Sequence, residues 1–203
     1  AIIAVMPVPT EEASRFGIMI TDDDRRIVDF EEKPKNPRSN LASMGIYVFN
    51  WKTLREGMIA LKDQPNLDFG KHIIPYCRDK GAGLYAYEFN SYWKDVGSLH
   101  SYWQANMELI DIVPEFNLYE EYWKIYTKSD IQPPQYFSSE SEVSKCIIGV
   151  GSEIYGKVYN SVIGCGVRIG KGTIVRDSII MNESVIGDDC ELSKAIVAEK
   201  VTV

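Results

Sequence analysis

The sequence has only two histidines, His72 and His100, and neither has a partner at metal-ligand spacing, so His72 reads as a surface residue. Its four cysteines (Cys77, Cys146, Cys165, Cys190) form no Cys-x-x-Cys pair, which excludes the common zinc and redox motifs by spacing. Unpaired thiols of this kind fit a reducing compartment, and a cytoplasmic location is expected. There is no basic block. With a net charge of −7 the chain has no means of neutralising a run of phosphates, which argues against nucleic acid as a partner. Any anionic ligand must then meet a few local cations. No apolar run approaches the length of a membrane span, and no signal peptide is visible, so no membrane partner is expected. The first part of the chain also lacks a Gly-rich phosphate loop, a Ser/His/Asp set and a Cys/His pair.

What is present is an ordinary globular composition, 45% apolar and 25% charged, in 203 residues, enough for one or two domains. Ala1 to Met6 is a continuous apolar run, the pattern of a strand buried in the middle of a sheet. Such a strand with no polar lead-in leads us to expect that the chain is a piece of something longer. Ile18-Met19-Ile20 and Ile27-Val28-Asp29-Phe30 flank the turn cluster Thr21 to Arg25 and predict a β-hairpin. Gly17 stands at its mouth, where a missing side chain lets a ligand approach the backbone or simply meets the geometry of the turn. The returning strand delivers Glu32 and Lys33. Glu accepts from hydroxyls and Lys offers a mobile cation for phosphate, while Pro34 is expected to push Lys33 into the β or polyproline region.

Leu41 to Phe49 is a strand-like run with small residues at its start, and Ser43 within it can donate to a sugar hydroxyl or serve as a plain strand hydroxyl. Asn50 is placed to cap a helix from Trp51 with Leu54, Met58 and Leu61 on one face. Asp68 is placed to cap a second helix. Asp95, in Tyr92-Trp93-Lys94-Asp95-Val96-Gly97, sits between aromatic and apolar neighbours and is a candidate Mg²⁺ ligand; a strand-end carboxylate held by backbone N–H groups is the alternative. Ser98 caps a further helix with Leu99, Trp103, Asn106 and Ile110 along one stripe.

From Cys146 the texture changes. Ile148, Ile163, Ile180 and Val197 are each followed six residues later by Ile154, Ile169, Ile186 and Val203. The starts of successive coils, at Cys146, Ser161, Ser178 and Ala195, are 15, 17 and 17 residues apart. A six-residue apolar step grouped in threes predicts a triangular parallel β-helix, with the aliphatic residue of each hexad pointing to the axis. Cys146, Cys165 and Cys190 fall in these coils, where packing is their expected role. The pattern stops in mid-coil at Val203, a second sign that the chain is part of a longer protein. The resulting division is 1–127, an α/β domain with a mixed sheet; 128–143, a connector; and 144–203, the β-helix.

Taken together, Met6-Pro7-Val8-Pro9, Glu12-Ala13-Ser14, Phe16-Gly17, Phe30-Glu31-Glu32-Lys33-Pro34, Leu41 to Phe49, Asp68-Phe69-Gly70-Lys71, Trp93-Lys94-Asp95-Val96-Gly97 and Tyr102 to Asn106 form a collinear set. On that set the chain resembles bacterial glucose-1-phosphate adenylyltransferases (ADP-glucose pyrophosphorylases), over essentially its whole length. The resemblance implies a sugar-nucleotidyltransferase domain followed by a left-handed β-helix. It implies the reaction of ATP with α-D-glucose 1-phosphate to give ADP-glucose and diphosphate, in glycogen synthesis. It further implies that Gly17, Glu32, Lys33 and Ser43 contact glucose 1-phosphate, with Lys33 on its phosphate, and that Asp68, Phe69, Trp93 and Tyr47 shape the same pocket. Asp95 matches a catalytic aspartate that binds Mg²⁺ with a second aspartate expected upstream of Ala1. The family's nucleotide loop is likewise expected upstream, so these residues by themselves should bind the sugar phosphate without turnover. A homotetramer or a hetero-oligomer with a related subunit is what the family implies. A non-catalytic regulatory subunit of the same assembly and another sugar-1-phosphate nucleotidyltransferase stay open. A hexapeptide acyltransferase would need a histidine between coils, and neither His72 nor His100 lies there.

Overall fold

The alternation of aliphatic residues builds the first sheet. In the computed structural model, which describes residues 1–127 and 131–203, β1 (Ile2–Pro7) buries Ile3 and Val5 completely and leaves Ile2 exposed. The run expected to be buried on both faces is therefore buried on one. Successive side chains of a strand point to opposite faces, and only one face of β1 meets helices. Described residues fall into two compact units, Ala1–Ser91 and Tyr92–Val203.

In the first unit, β2 (Gly17–Thr21) and β3 (Ile27–Glu32) form the expected antiparallel hairpin. With β4 (Leu41–Val48) and β5 (Tyr85–Glu88) they make a mixed sheet of order β3-β2-β4-β1-β5, in which β1 runs antiparallel to β4 and parallel to β5. α1 (Trp51–Ala60), a π-helical turn (Phe69–Ile73) and α2 (Ile74–Asp79) accompany it. Ile73, Ile74 and Cys77 lie in one buried cluster with Ile3, Val5, Met19 and Ile27, so the π turn and α2 are anchored on the sheet by apolar burial. Asn50 caps α1 as expected, its side chain accepting from the Lys52 N–H. Leu54 and Leu61 pack on the core, but Met58 is exposed and Gly57 is the buried residue of that face, against the Tyr76 ring.

In the second unit, α3 (Leu99–Glu108) starts at Ser98 in a capping box closed by Ser101. Leu99, expected on the buried stripe, is exposed, whereas Trp103 donates its indole N–H to the Asp177 carbonyl at 2.6 Å. Strands of two to seven residues then coil: β6 (Tyr136–Phe137), β7 (Glu142–Ile148), β8 (Glu153–Ile154), β9 (Lys157–Ile163), β10 (Arg168–Ile169), β11 (Ile174–Arg176), β12 (Ile179–Ile180), β13 (Val185–Ile186), β14 (Glu191–Ser193) and β15 (Ile196–Val197). All their pairings are parallel, between residues one coil apart. This is the parallel β-helix that the hexads predict. Ile154, Ile169 and Ile186 stack in one column, Ile163, Ile180 and Val197 in a second, and Val158, Val175 and Leu192 in a third. The expected connector begins on residues 128–130, outside the described residues, and further along it already contributes β6 to the coil ladder through Tyr136 and Phe137.

Between the columns run buried hydroxyls. Ser178 Oγ donates to the Arg176 carbonyl at 2.6 Å and accepts from the Ala195 N–H at 3.0 Å; Ser161 and Thr173 repeat the arrangement. A hydroxyl is both donor and acceptor, so each stitches one coil to the next without leaving a buried polar atom unpaired. All four cysteines are free thiols, and Cys146 and Cys190 pack against the apolar columns.

Candidate sugar-phosphate pocket

A cavity of about 340 Å³ opens in the first unit, lined by Gly17, Phe30, Glu32, Ser43, Gly45, Tyr47, Leu67, Asp68, Phe69 and Gly70. Three segments build it. The hairpin sets Gly17 directly opposite Glu32, the last pair of its ladder. β4 brings Ser43, Gly45 and Tyr47, at every second position, to the same side. Between Ser43 and Tyr47 the pairing with β1 is irregular, and Gly45 sits at the bulge with a φ of +72°. The third segment enters the π turn. Asp68 caps it, Oδ1 accepting from the Lys71 N–H at 2.8 Å, and the Phe69 ring stacks on Tyr47 with centroids 5.4 Å apart and planes 13° from parallel.

Two glycines leave room for the carboxylate. A Cβ on Gly17 would stand 2.7 Å from Phe30 Cε2 and 3.1 Å from Glu32 Oε2; one on Gly70 would stand 3.1 Å from Phe30 Cζ and 3.6 Å from the same oxygen. The Phe30 ring and the Glu32 carboxylate thus lie between two bare backbones. The lining carries two carboxylates, Glu32 and Asp68, a hydroxyl, a phenol and an aromatic stack, and no cation among its residues. Such a surface accepts hydrogen bonds from hydroxyls and offers ring faces to C–H groups. Its chemistry suits hydroxyl groups better than an anion.

Of the residues singled out in the sequence, the structure thus brings Gly17, Glu32, Ser43, Tyr47, Asp68 and Phe69 to one cavity. Lys33 follows immediately after β3 and is absent from the lining. Its φ is +49°, not the extended value expected before proline. Pro34 excludes the right-handed helical region. The Lys33 N–H, donating to the Phe16 carbonyl at 3.0 Å, then selects a left-handed turn that costs a non-glycine residue about 1–2 kcal/mol. Behind this strand end, Arg38 pairs with both Asp29 and Glu31, and Arg78 from α2 pairs with Asp29 at 2.8 Å. The hydrogen bond from Arg38 holds the Asp29 carboxyl below its usual range.

Trp93 and Asp95 belong to the second unit. Their segment is tied to α3: Tyr92 donates to Glu108 at 3.0 Å, Lys94 pairs with the same carboxylate, and Tyr92 stacks on Phe116 at 5.4 Å. Burial, then the neighbouring Glu108 carboxylate, pushes the Tyr92 phenol up to about 12. The Asp95 carboxylate turns back toward Gly97, where a Cβ would stand 3.1 Å from Oδ2. Among the described residues no group of three or more His, Cys, Asp or Glu side chains is arranged to hold a metal ion. The described residues therefore do not by themselves compose a Mg²⁺ site around Asp95.

Phe30, Gly45, Leu67 and Gly70 line the cavity without having been singled out. Phe30 and Glu32 are two apart on one strand and so share a face, a signal present in the sequence; Gly70 follows Asp68, whose capping role explains the segment without a pocket. His72, read as a surface residue, is half-buried and bonded to the pocket loop.

Comparison with known proteins agrees with this architecture. The family profile for nucleotidyl transferases matches residues 1–112, and the profile for a GlmU-like C-terminal hexapeptide region matches residues 133–203. Among curated proteins, a glucose-1-phosphate adenylyltransferase of Lachnospira eligens is 64% identical over 82% of this chain and 40% of its own length. Proteins of the same name from Acetivibrio thermocellus and Thermotoga maritima are 49% identical over 100% of the chain and 48% of the relative, and 55% identical over 86% and 42%. The chain thus spans less than half the length of these relatives. Among the described residues no helix is long and apolar enough to cross a membrane. With the family profile covering more than half of its residues, and with the mixed sheet and β-helix in place, the chain belongs to the nucleotidyl transferase family.

Proposed function

We propose that this chain carries the sugar-phosphate side of a glucose-1-phosphate adenylyltransferase, which converts ATP and α-D-glucose 1-phosphate to ADP-glucose and diphosphate in glycogen synthesis. The observation that carries the reading is one cavity that gathers Gly17, Glu32, Ser43, Tyr47, Asp68 and Phe69 from three segments, in a chain 47–64% identical to proteins bearing that name. In this reading Glu32, Asp68 and Ser43 hold the glucose hydroxyls, and the Tyr47–Phe69 stack faces the ring. The phosphate, for which the acidic lining offers no cation, is taken by Lys33, and Trp93 is proposed as a further substrate-binding residue.

The nucleophile is a phosphate oxygen, already anionic at neutral pH. It forms a bond to the α-phosphorus of ATP as the bond from that phosphorus to the diphosphate oxygen breaks, and no proton has to be removed. The task of these residues is to hold the phosphate in line and offset its charge. Asp95 is proposed as one carboxylate of a Mg²⁺ site. ATP, an oligomeric assembly and a cytoplasmic location belong to the same proposal, as does the absence of turnover by these 203 residues alone.

Lys33→Gln in a full-length enzyme containing these residues tests the assignment. The Michaelis constant for glucose 1-phosphate should rise about tenfold or more, the loss expected for a hydrogen bond to a charged group, with that for ATP nearly unchanged. An equal rise in both would show that Lys33 does not hold the sugar phosphate.

A further inference from the structure

We propose that His72 is a positioning residue for this pocket: its ring clasps the backbone of Asp68 and so sets the wall that carries Asp68, Phe69 and Gly70. The inference rests on the pocket reading above and adds a residue that does not itself line the cavity. The Asp68 N–H donates to His72 Nδ1 at 3.0 Å, and the Asp68 carbonyl accepts from the His72 N–H at 3.0 Å. Asp68 and His72 thus hold each other by two hydrogen bonds, and the Lys71 N–H donating to Asp68 Oδ1 at 2.8 Å adds a third within the same turn.

The turn explains why residue 72 does this. In an ordinary capping box the third residue of the helix reaches back to the N–H of the capping residue. Here the helix opens as a π turn: the Ile73 N–H reaches the Asp68 carbonyl at 3.3 Å, five residues back, beside the shorter bond from His72. The wider turn moves the fourth residue, His72, over the Asp68 N–H. Lys71 keeps the capping bond through its backbone.

Acceptance at Nδ1 fixes the chemistry of the ring. The N–H donor requires an unprotonated Nδ1, so the neutral ring carries its proton on Nε2. The Gln64 amide nitrogen stands 3.3 Å from Nε2; an Nε2–H ring needs an acceptor there, which the amide supplies when turned over to present its oxygen. His72 thereby ties the end of the α1–π-turn connection to the first residue of the turn.

Three consequences for the cavity follow from fixing Asp68. Its carboxylate is aimed, the next residue is held where its ring stacks on Tyr47, and Gly70 is held where its Cα faces Phe30 and Glu32. A loop left without the clasp would keep the fold, since Ile73 and Ile74 are buried in the sheet, and would loosen only this wall.

The test uses the size difference between Asn and Gln. An Asn amide oxygen lies close to the place of Nδ1, whereas a Gln amide lies near Nε2 and leaves the Asp68 N–H without its acceptor. In the 203-residue chain, amide hydrogen exchange at Asp68 should be slow in wild type and His72→Asn and about tenfold faster in His72→Gln and His72→Leu, with Ile73 and Ile74 unchanged. In a full-length enzyme the Gln and Leu variants should raise the Michaelis constant for glucose 1-phosphate about three- to tenfold, as expected for one exposed hydrogen bond, leaving kcat and the constant for ATP within about twofold. His72→Asn should restore it. Equal exchange at Asp68 in all four proteins would overturn the clasp. Fast exchange in the Gln variant with an unaltered constant for glucose 1-phosphate would overturn its role in the pocket. If wild type shows no dependence on glucose 1-phosphate, the functional reading fails, and exchange at Asp68 still decides the clasp.

Discussion

The two units use the same device, backbone that tolerates no side chain, for opposite ends. In the β-helix a Cβ on Gly170 would stand 2.3 Å from the Gly187 carbonyl oxygen, which belongs to the next coil and has nowhere to go. In the pocket a Cβ on Gly17 meets the rim of a Phe ring, which can turn. Crowding against backbone breaks the fold, whereas crowding against a side chain breaks a site. Left-handed residues divide in the same way. In the coils they recur at corners one coil apart, as at Lys145, Asn160, Asp177 and Lys194, and mark geometry alone. Lys33, in the first unit, repeats nowhere and ends the strand that carries Glu32.

The sharpest contrast is therefore Gly170→Ala against Gly17→Ala. The first should lower stability by about 3 kcal/mol, the upper end for overpacking, and the second by about 1 kcal/mol, both read from denaturant unfolding. The second should nevertheless lose sugar-phosphate binding while the first, where folded, keeps it. Comparable losses of stability would show that the pocket glycine is as structural as the coil glycine. Next in size is Ser178→Ala, which leaves the half-buried Ala195 N–H without its acceptor and should cost about 1 kcal/mol. A cost near zero would mean that the hydroxyl ladder follows from the coil instead of holding it.

These contrasts explain what could be read from sequence. The β-helix was legible because a single rule, one aliphatic residue every six, repeats through the coils and is enforced by three packed columns. Pocket residues carry no such rule: positions 17, 32, 43, 47 and 68–70 converge only through strand register and a bulge. Their chemistry was visible one residue at a time, and their grouping came from resemblance to a family. Where a local rule met a tertiary bond, the bond won. Proline before a turn predicted an extended Lys33, and a hydrogen bond to Phe16 made it left-handed. The apolar run at Ile2 to Met6 predicted burial on both faces, and helices cover only one. His72 looked like a surface residue because its partner is a backbone N–H, which no side-chain spacing reveals.

The smallest expected effect is electrostatic and also divides by unit. Hydrogen bonding to Lys157, then Tyr159, holds Glu142 below its ordinary value of 4.5, and Arg38 holds Asp29 below 3.8. A carboxylate with a lowered value in the folded state stabilises it above the unfolded value. That contribution fades as pH falls from about 4.5 through the folded value. Both groups are exposed, so the loss is slight. Glu142→Gln should flatten the acid limb of β-helix stability and leave that of the first unit unchanged; a change in both would mean that the carboxylates are not local to their units.

If residues from three segments of the first unit form one binding site for a sugar phosphate, titration of glucose 1-phosphate into the 203-residue chain will show it in the backbone amide shifts. Saturable shifts should cluster at Gly17, Glu32, Lys33, Ser43, Tyr47 and Asp68 to Gly70, leave the coils still, and be lost in Glu32→Gln. Shifts confined to other residues, or undiminished in Glu32→Gln, would contradict it.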